Sequence, residues 1–165
     1  MMVNAMRIHR SVIVNASAAD AWELLAYRFG DIGQWTNAVD SSQLVGDRVE
    51  VGAERHCRVS GPGSGDGLTV ERITAFDPEA MSYSYELVRG PAFITAAHNV
   101  ITVTALSPDR CVVDANGRIT LRWWLVPLTP IVSFAMGIVV RSFFRDLQYR
   151  LERHAPHPEV LAGRD

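Results

Sequence analysis

A long apolar stretch near the C-terminus constrains the fold more than any other feature of the sequence. Residues 129–154 contain no proline after Pro130, which allows about seven helical turns at 3.6 residues per turn. Thr129 can cap this helix, and a proline suits its first position because the missing N–H needs no partner there. Apolar residues recur along it at helical spacing: Val132, Met136, Val139, Phe143, Leu147 and Leu151. Because its first half is apolar nearly all round, the sequence predicts a helix covered on more than one face.

The chain before this helix consists mainly of predicted strands. A strand at residues 7–14 is followed by Ser-Ala-Ala-Asp at 17–20, which resembles a capping box, and by two short helices. About six further strands are separated by turns rich in glycine and proline. Consecutive strands with short turns predict an antiparallel meander. We therefore expect an α+β domain in residues 1–155, with a curved antiparallel sheet wrapped around the C-terminal helix, and a disordered tail in residues 156–165.

The composition excludes some partners and compartments. The net charge of −2, the pI near 6.2 and the lack of a basic cluster give no sign of a nucleic-acid partner. Cys57 and Cys111 lack the spacing of metal ligands or of a disulfide framework. They fit a reducing compartment, so we expect a cytoplasmic protein. The first residues lack the apolar segment of a signal peptide, and we expect none.

Residues 123–140 are apolar enough to raise the question of a membrane span, which takes about 20 residues. Pro127 and Pro130 interrupt this run, and Arg141 follows it closely, so we predict no transmembrane span. Trp123 and Trp124 have opposite parity, which predicts that one of them is exposed within an apolar patch. Contact with a membrane surface, contact with another protein and formation of a homodimer all remain open for such a patch.

A predicted hairpin places an ion pair in the interior of the sheet. Its loop, residues 61–67, is rich in glycine but lacks the lysine and the strand-to-helix context of a phosphate-binding loop. If the turn centres near Gly63, Arg55 lies opposite Glu71, and side-chain alternation places both on the helix-facing side. One interpretation is a structural ion pair, tolerated because the partners bond to each other. The other is a polar anchor or a general acid/base in a cavity.

Three polar residues in later strands are further candidates. Tyr83 and Tyr85 share one face of a strand and either pack in the core or form an apolar wall whose hydroxyls orient a ligand. His98 lies in the middle of the next strand and is an ordinary surface or core residue unless it faces inward. An inward His98 is the best candidate for a proton shuttle near neutral pH.

Three apolar residues could complete a binding site. Trp35, beside a loop, either packs in the core or lines the mouth of a pocket. Phe134 and Ile138, on the long helix, are expected to roof a cavity or to plug it. The five histidines are scattered without ligand spacing and no dinucleotide fingerprint occurs, so the sequence predicts neither a metal site nor an organic cofactor.

Several short phrases carry a resemblance to a known superfamily. They are Ala-Ser-Ala-Ala-Asp-Ala-Trp-Glu-Leu-Leu at 16–25, Asp-Ile-Gly-Gln-Trp at 31–35, Val-Gly-Ala-Glu-Arg at 51–55, Glu-Arg-Ile-Thr-Ala-Phe-Asp-Pro at 71–78, and Ser-Tyr-Ser-Tyr-Glu-Leu at 82–87. Over residues 3–154 the chain resembles the START-like helix-grip superfamily, also called SRPBCC, and within it the polyketide cyclase/dehydrase branch. The resemblance implies a cavity between sheet and helix for a hydrophobic small molecule, but it does not fix the chemistry.

Three functions therefore remain open. The first is a metal-free enzyme that cyclises or dehydrates a polyketide-like substrate, with Glu71 or His98 moving protons and with Arg55 and the tyrosines orienting carbonyl oxygens. The second is a non-catalytic carrier or sensor of a lipid or another apolar metabolite. The third is an interaction module with a filled core.

Overall fold

Seven strands form one antiparallel sheet in the computed structural model, which describes residues 5–61 and 63–163. The ends of the predicted domain and tail, residues 1–4 and 164–165, lie outside the described part of the chain. The spatial order is β1-β7-β6-β5-β4-β3-β2, so the meander is confirmed and the first strand pairs with the last. The strands are β1 Ala5–Val14, β2 Ser41–Val45, β3 Glu54–Arg58, β4 Leu68–Asp77, β5 Ser82–Arg89, β6 Ile94–Ser107 and β7 Arg110–Leu121.

Short helical segments connect β1 to β2. Ser17 caps the first of them, because its Oγ accepts a hydrogen bond from the backbone N–H of Asp20 at 3.0 Å. The segments are α1 Ala18–Trp22, a π-helical turn Glu23–Tyr27 and a 3-10 helix Phe29–Gln34. They cross the inner, concave face of the sheet and bury Trp22, Leu25 and Phe29 against it.

The long C-terminal helix, α2 Thr129–Arg153, follows a 3-10 helix at Trp123–Leu128. Its two halves have different environments. In the second half, residues 141–153, Phe144, Leu147 and Leu151 are buried in the core. In the first half, residues 129–140, the exposed fractions of Phe134 and Ile138 are 74% and 55%. The helix-grip fold is confirmed, but the prediction that the first half is covered on more than one face is wrong.

Asp146 anchors the second half of α2. Its carboxylate is fully buried, and Oδ2 accepts hydrogen bonds from Thr36 Oγ1 at 3.1 Å and from the Asn37 N–H at 2.9 Å. Arg145 donates to Oδ1 through Nη2 at 3.0 Å. A buried carboxylate is tolerated when its oxygens are bonded in this way. The network joins α2 to the segment between the 3-10 helix and β2.

The end of the chain differs from its prediction. Residues 158–162 of the expected disordered tail form a short helix, α3 Pro158–Ala162. Val160 is buried, and Glu159 forms an ion pair with Arg145 at 2.7 Å. The tail holds a single apolar anchor, which is too small a signal to favour packing from composition alone.

Candidate functional site

The predicted ion pair lies on the inner face of the sheet. Arg55 in β3 is directly opposite Glu71 in β4, and its Nε donates to Glu71 Oε2 at 2.8 Å. Nη2 donates to the same oxygen, while Nη1 donates to the backbone carbonyl of Phe29 at 2.9 Å. The side chain of Arg55 is 4% exposed and that of Glu71 is 18% exposed. The predicted register, orientation and contact are therefore confirmed.

Aromatic rings enclose the guanidinium group of Arg55. The ring of Phe29 covers it at 3.9 Å, and the centroid of Tyr85 lies 5.5 Å from it. Tyr83 and Tyr85 stack with their centroids 6.0 Å apart. Cation–π contacts of this kind are strongest where water is excluded. The π-helical turn and the 3-10 helix place Phe29 over Arg55. The segment between β1 and β2 therefore supplies part of the environment of this guanidinium group.

Burial and charge set the protonation states of this cluster. Burial alone lowers the pKa of Arg55, but the Glu71 carboxylate and the neighbouring Cys57 and tyrosines raise it above its ordinary value. Burial raises the pKa values of Tyr83 and Tyr85, with the Glu71 charge adding to this and the Arg55 charge opposing it. Both phenols are therefore neutral hydrogen-bond donors at physiological pH.

Asn99 belongs to the same face, and the sequence analysis missed it. It lies opposite Tyr85 in the register of β5 and β6 and is half-buried. Its amide oxygen occupies the space above Gly117, 2.6 Å from where a Cβ atom of that residue would stand. One pattern in the sequence could have identified Asn99: it is a polar residue at the same strand parity as the apolar Ala97 and Ile101.

Several polar atoms of this face have no protein partner among residues 5–61 and 63–163. Both bonds from Arg55 go to Glu71 Oε2, so that Oε1 accepts none. The structure likewise shows no hydrogen bond to the side chain of Asn99 or to the hydroxyls of Tyr83 and Tyr85 within the same ranges. Among the described residues, the buried side-chain atoms without a partner are the indole nitrogens of Trp22 and Trp35. The polar atoms of this face are not among them, so they are accessible to water or to a ligand.

His98 lies on the opposite face of the sheet. It pairs with Glu86, which shares the outer face with Arg72, and its Nε2 is 3.3 Å from Thr74 Oγ1. The side chain is exposed there. His98 therefore shares no site with Glu71, and the interpretation of His98 as an inward proton shuttle is wrong.

The apolar candidates also differ from their predictions. Trp35 is buried against Phe143, with the ring centroids 5.2 Å apart, so it packs in the core and lines no pocket mouth. Phe134 and Ile138 are exposed and neither close nor plug a cavity. Ligand-binding roles for these three residues remain predictions.

Near the end of the sheet where β5 and β7 end and β1 and β6 begin, the inner face is half-buried at Leu87 and Ala97, while Ile119 and Leu121 of β7 are buried. α2 lies along the edge strand β1, and Ser133 Oγ contacts Met6 Sδ at 2.7 Å. The exposed first half of α2 leaves inner-face residues of the other strands half-buried, among them Leu87, Ala97, Asn99 and Ala115. These half-buried side chains form a partly exposed strip of the inner face beside α2, called the groove below, where the sequence predicted a cavity.

A meandering sheet that holds a long C-terminal helix, with short helical segments after the first strand, defines the START-like helix-grip class. The sequence model of the family described as "Polyketide cyclase / dehydrase and lipid transport" matches residues 5–155, and the chain belongs to that family. The predicted superfamily and branch are thereby confirmed. A search of the curated proteins finds no significant match.

Solved structures share this fold at low sequence identity. Norcoclaurine synthase from Thalictrum flavum, in complex with dopamine and hydroxybenzaldehyde, has a TM-score of 0.67 at 18% identity, covering 93% of this chain and 90% of its own. A START superfamily protein from Mycobacterium smegmatis has a TM-score of 0.71 at 16% identity, covering 90% and 99%. An uncharacterised protein from Bacillus thuringiensis has a TM-score of 0.70 at 20% identity, covering 88% and 98%. At these identities the likeness shows the fold alone.

Proposed function

We propose that this protein is a carrier or sensor of an apolar small molecule that has at least one carbonyl or hydroxyl group, bound in the groove. The observation that carries the proposal is the set of polar atoms without protein partners on an otherwise apolar face. They are Glu71 Oε1, the hydroxyls of Tyr83 and Tyr85, and the side-chain amide of Asn99. The family, described by cyclases and lipid transport, supports a hydrophobic ligand.

The chemistry of these groups defines the ligand. Neutral phenols donate to a carbonyl or hydroxyl oxygen, the Asn99 amide both donates and accepts, and Glu71 Oε1 accepts from a ligand hydroxyl. The surrounding surface of Leu87, Ala97 and Ala115 fits hydrocarbon. A polyketide-like chain or an oxygenated lipid has both features. Because His98 lies on the outer face, the described groove holds no imidazole that could move protons near neutral pH, which favours binding over catalysis.

Native mass spectrometry of freshly purified protein tests the proposal, together with titration by Nile red, an apolar dye that has a carbonyl group. We expect an apolar molecule to copurify and to be displaced by the dye. Tyr85→Phe and Asn99→Leu should weaken dye binding, because each removes a hydrogen-bonding group from the groove. His98→Ala, on the outer face, is the matched control and should leave binding unchanged.

Two results would contradict a binding role. One is protein that carries no molecule and does not take up the dye. The other is dye binding that is unaffected by Tyr85→Phe and Asn99→Leu but lost on substituting Trp123 and Phe134. That result would place the dye on the exposed surface of the 3-10 helix and α2 instead of in the groove.

Catalysis is the second candidate, and the free Oε1 of Glu71 favours it. In an aldol-type cyclisation, Oε1 would take a proton from the carbon beside a ligand carbonyl, while the Tyr85 hydroxyl donates a hydrogen bond to that carbonyl oxygen. The carbanion then attacks a second carbonyl of the same chain, and the alkoxide formed takes the proton back. Glu71→Gln should abolish turnover of a linear polyketide mimic while retaining its binding, whereas a carrier shows no turnover in either form.

A further inference from the structure

An exposed apolar band runs from the 3-10 helix into the first half of α2. It consists of Trp123, Trp124, Leu128, Ile131, Phe134 and Ile138, with exposed fractions of 84%, 54%, 44%, 66%, 74% and 55%. Single exposed apolar residues are common on proteins, but a contiguous series of this size marks an interaction surface. The band is not part of the groove lining described above, and the proposed function does not account for it.

The charges around the band have one sign. Residues 115–145 contain four arginines and no acidic residue, and of these arginines Arg145 is paired with Asp146 and Glu159. Arg122 and Arg141 flank the band and are exposed. Arg141 follows Ile131, Phe134 and Ile138 on the same helix face at spacings of three and four residues. The surface is therefore an apolar strip with a cation at each end, and its partner should be apolar and anionic.

The band begins at the end of the sheet where β7 ends and β6 begins. Its first residue follows Arg122, whose backbone N–H donates to the Phe93 carbonyl at 3.0 Å and whose Nε donates to the Ala92 carbonyl. These contacts hold the 3-10 helix beside the loop between β5 and β6. Leu87 and Ala97 of the groove stand near the same end of the sheet.

We propose that the band docks this protein onto the surface of an anionic lipid bilayer. Trp123 and Phe134 enter the interfacial region, where aromatic rings are favoured, and Arg122 and Arg141 contact lipid phosphates. Arginine binds phosphate in a bidentate geometry, and every cationic side chain of the 16 in this protein is arginine. This proposal stands independently of whether the groove holds a ligand.

Anchoring at both ends of the apolar run favours contact with the membrane surface over a span. The helical run Trp123–Arg153 is long and apolar enough to cross a membrane by composition. However, Phe144, Leu147 and Leu151 hold its second half in the protein core. The exposed run of the 3-10 helix and the first half of α2, residues 123–140, is about as long as the roughly 30 Å hydrocarbon core, but Arg122 ties its start to the Phe93 and Ala92 carbonyls. It is suited to lie along the interface.

Charge argues against a second copy of the chain as the partner. A two-fold dimer places the same surface on both subunits. Arg122 and Arg141 of each subunit would then approach the arginines of the other, with no acidic residue between 115 and 145 to compensate them. An anionic bilayer instead supplies the opposite charge.

Cosedimentation of the full chain with vesicles tests the proposal. We expect binding to vesicles of phosphatidylcholine with phosphatidylglycerol, weaker binding to phosphatidylcholine alone, and a decrease at high salt. The double variant Trp123→Ser/Phe134→Ser should lower the partition coefficient by at least about tenfold. Arg141→Glu should reduce the preference for anionic lipid.

Controls keep the test specific. Leu106→Ser removes a side chain that is 53% exposed at the far end of β6, and it should leave vesicle binding unchanged. Circular dichroism checks that each variant is folded, which we expect because the substituted side chains are exposed. Absence of cosedimentation, or equal binding by wild type and the double variant, overturns the proposal. So does a wild-type dimer that the double variant converts to monomer without any vesicle binding.

Discussion

Glu71→Leu, which breaks the buried Arg55–Glu71 pair, should be strongly destabilising. The variant removes both hydrogen bonds from Arg55 to the carboxylate and leaves the guanidinium with the Phe29 carbonyl and two aromatic rings. Each hydrogen bond to a charged group contributes about 1.5–3 kcal/mol. Removing one partner of a buried pair typically costs about 3–5 kcal/mol, because the other charge stays buried without compensation. We expect a loss of that size in the free energy of unfolding.

The double variant Arg55→Met/Glu71→Leu shows whether the loss of stability comes from an unpaired charge or from altered packing around the pair. Replacing both charges by apolar side chains of similar volume removes the unpaired charge, so the double variant should be within about 1 kcal/mol of wild type or more stable. Urea unfolding followed by far-ultraviolet circular dichroism measures both values, and an unchanged m-value keeps them comparable.

The outer face provides the control. Glu54 pairs with Arg72 at 2.7 Å, but Arg72 is 41% exposed. Glu54→Leu should therefore have a far smaller effect than Glu71→Leu, since exposed pairs contribute little. A loss below about 1 kcal/mol for Glu71→Leu would refute the reasoning, because it would mean that Arg55 reaches water once its partner is gone.

Three further predictions follow from buried groups. Asp146→Ala should lower the free energy of unfolding, measured in urea, by roughly 3–4 kcal/mol, because it leaves Thr36 and a backbone N–H without partners. A decrease in this free energy as small as that of a surface substitution would contradict the prediction. Burial raises the pKa of the Cys57 thiol to about 11, so about one molecule in a thousand is thiolate at pH 8. A disulfide reagent should therefore label Cys57 only after the protein unfolds. Labelling of the native protein within minutes would argue against burial of this thiol. Burial raises the pKa values of Tyr83 and Tyr85, so their neutral forms stabilise the fold below the unfolded pKa near 10, and this stability is lost as the pH rises above that value. The variant Tyr83→Phe/Tyr85→Phe should therefore unfold less readily than wild type at alkaline pH, as followed by absorbance at 295 nm. Equal sensitivity of the two proteins to alkaline pH would count against this prediction.

The hairpin pair could be predicted because its geometry is local. Arg55 and Glu71 are separated by one short loop, so that counting from the turn fixes their register, and alternation fixes their shared face. The family could be identified from phrases in the same part of the chain. No contact with a distant element was needed for either inference.

The orientation of His98 could not be predicted in the same way. β6 is long, and apolar residues occur at both parities, with Val100 on the outer face and Ile101 on the inner one. Neither parity is therefore marked as inside by composition alone. The same ambiguity hid Asn99, which stands next to His98 and points the other way.

The exposure of Phe134 could not be predicted because burial depends on what else is available to cover a helix. The apolar composition of residues 129–140 indicated a buried helix. The strands and the short helices, however, cover mainly the second half, and β1 contacts the first half on one side through Met6 and Ser133, so Phe134 stays exposed. The composition of a helix shows how much apolar surface it has, but only the fold determines whether another element covers that surface.

The uneven anchoring of α2 gives one helix two mechanical roles. Its second half is fixed by the Asp146 network, while Gly137 in the first half has no heavy atom within 4 Å of its would-be Cβ position. Amide protons of residues 131–140 should therefore exchange through local fraying, and those beyond Phe144 only with unfolding of the whole domain. The first half is held to the sheet through Ser133 and Arg122 alone among the hydrogen bonds described above, so its local opening would leave the core around Phe144 and Leu147 intact.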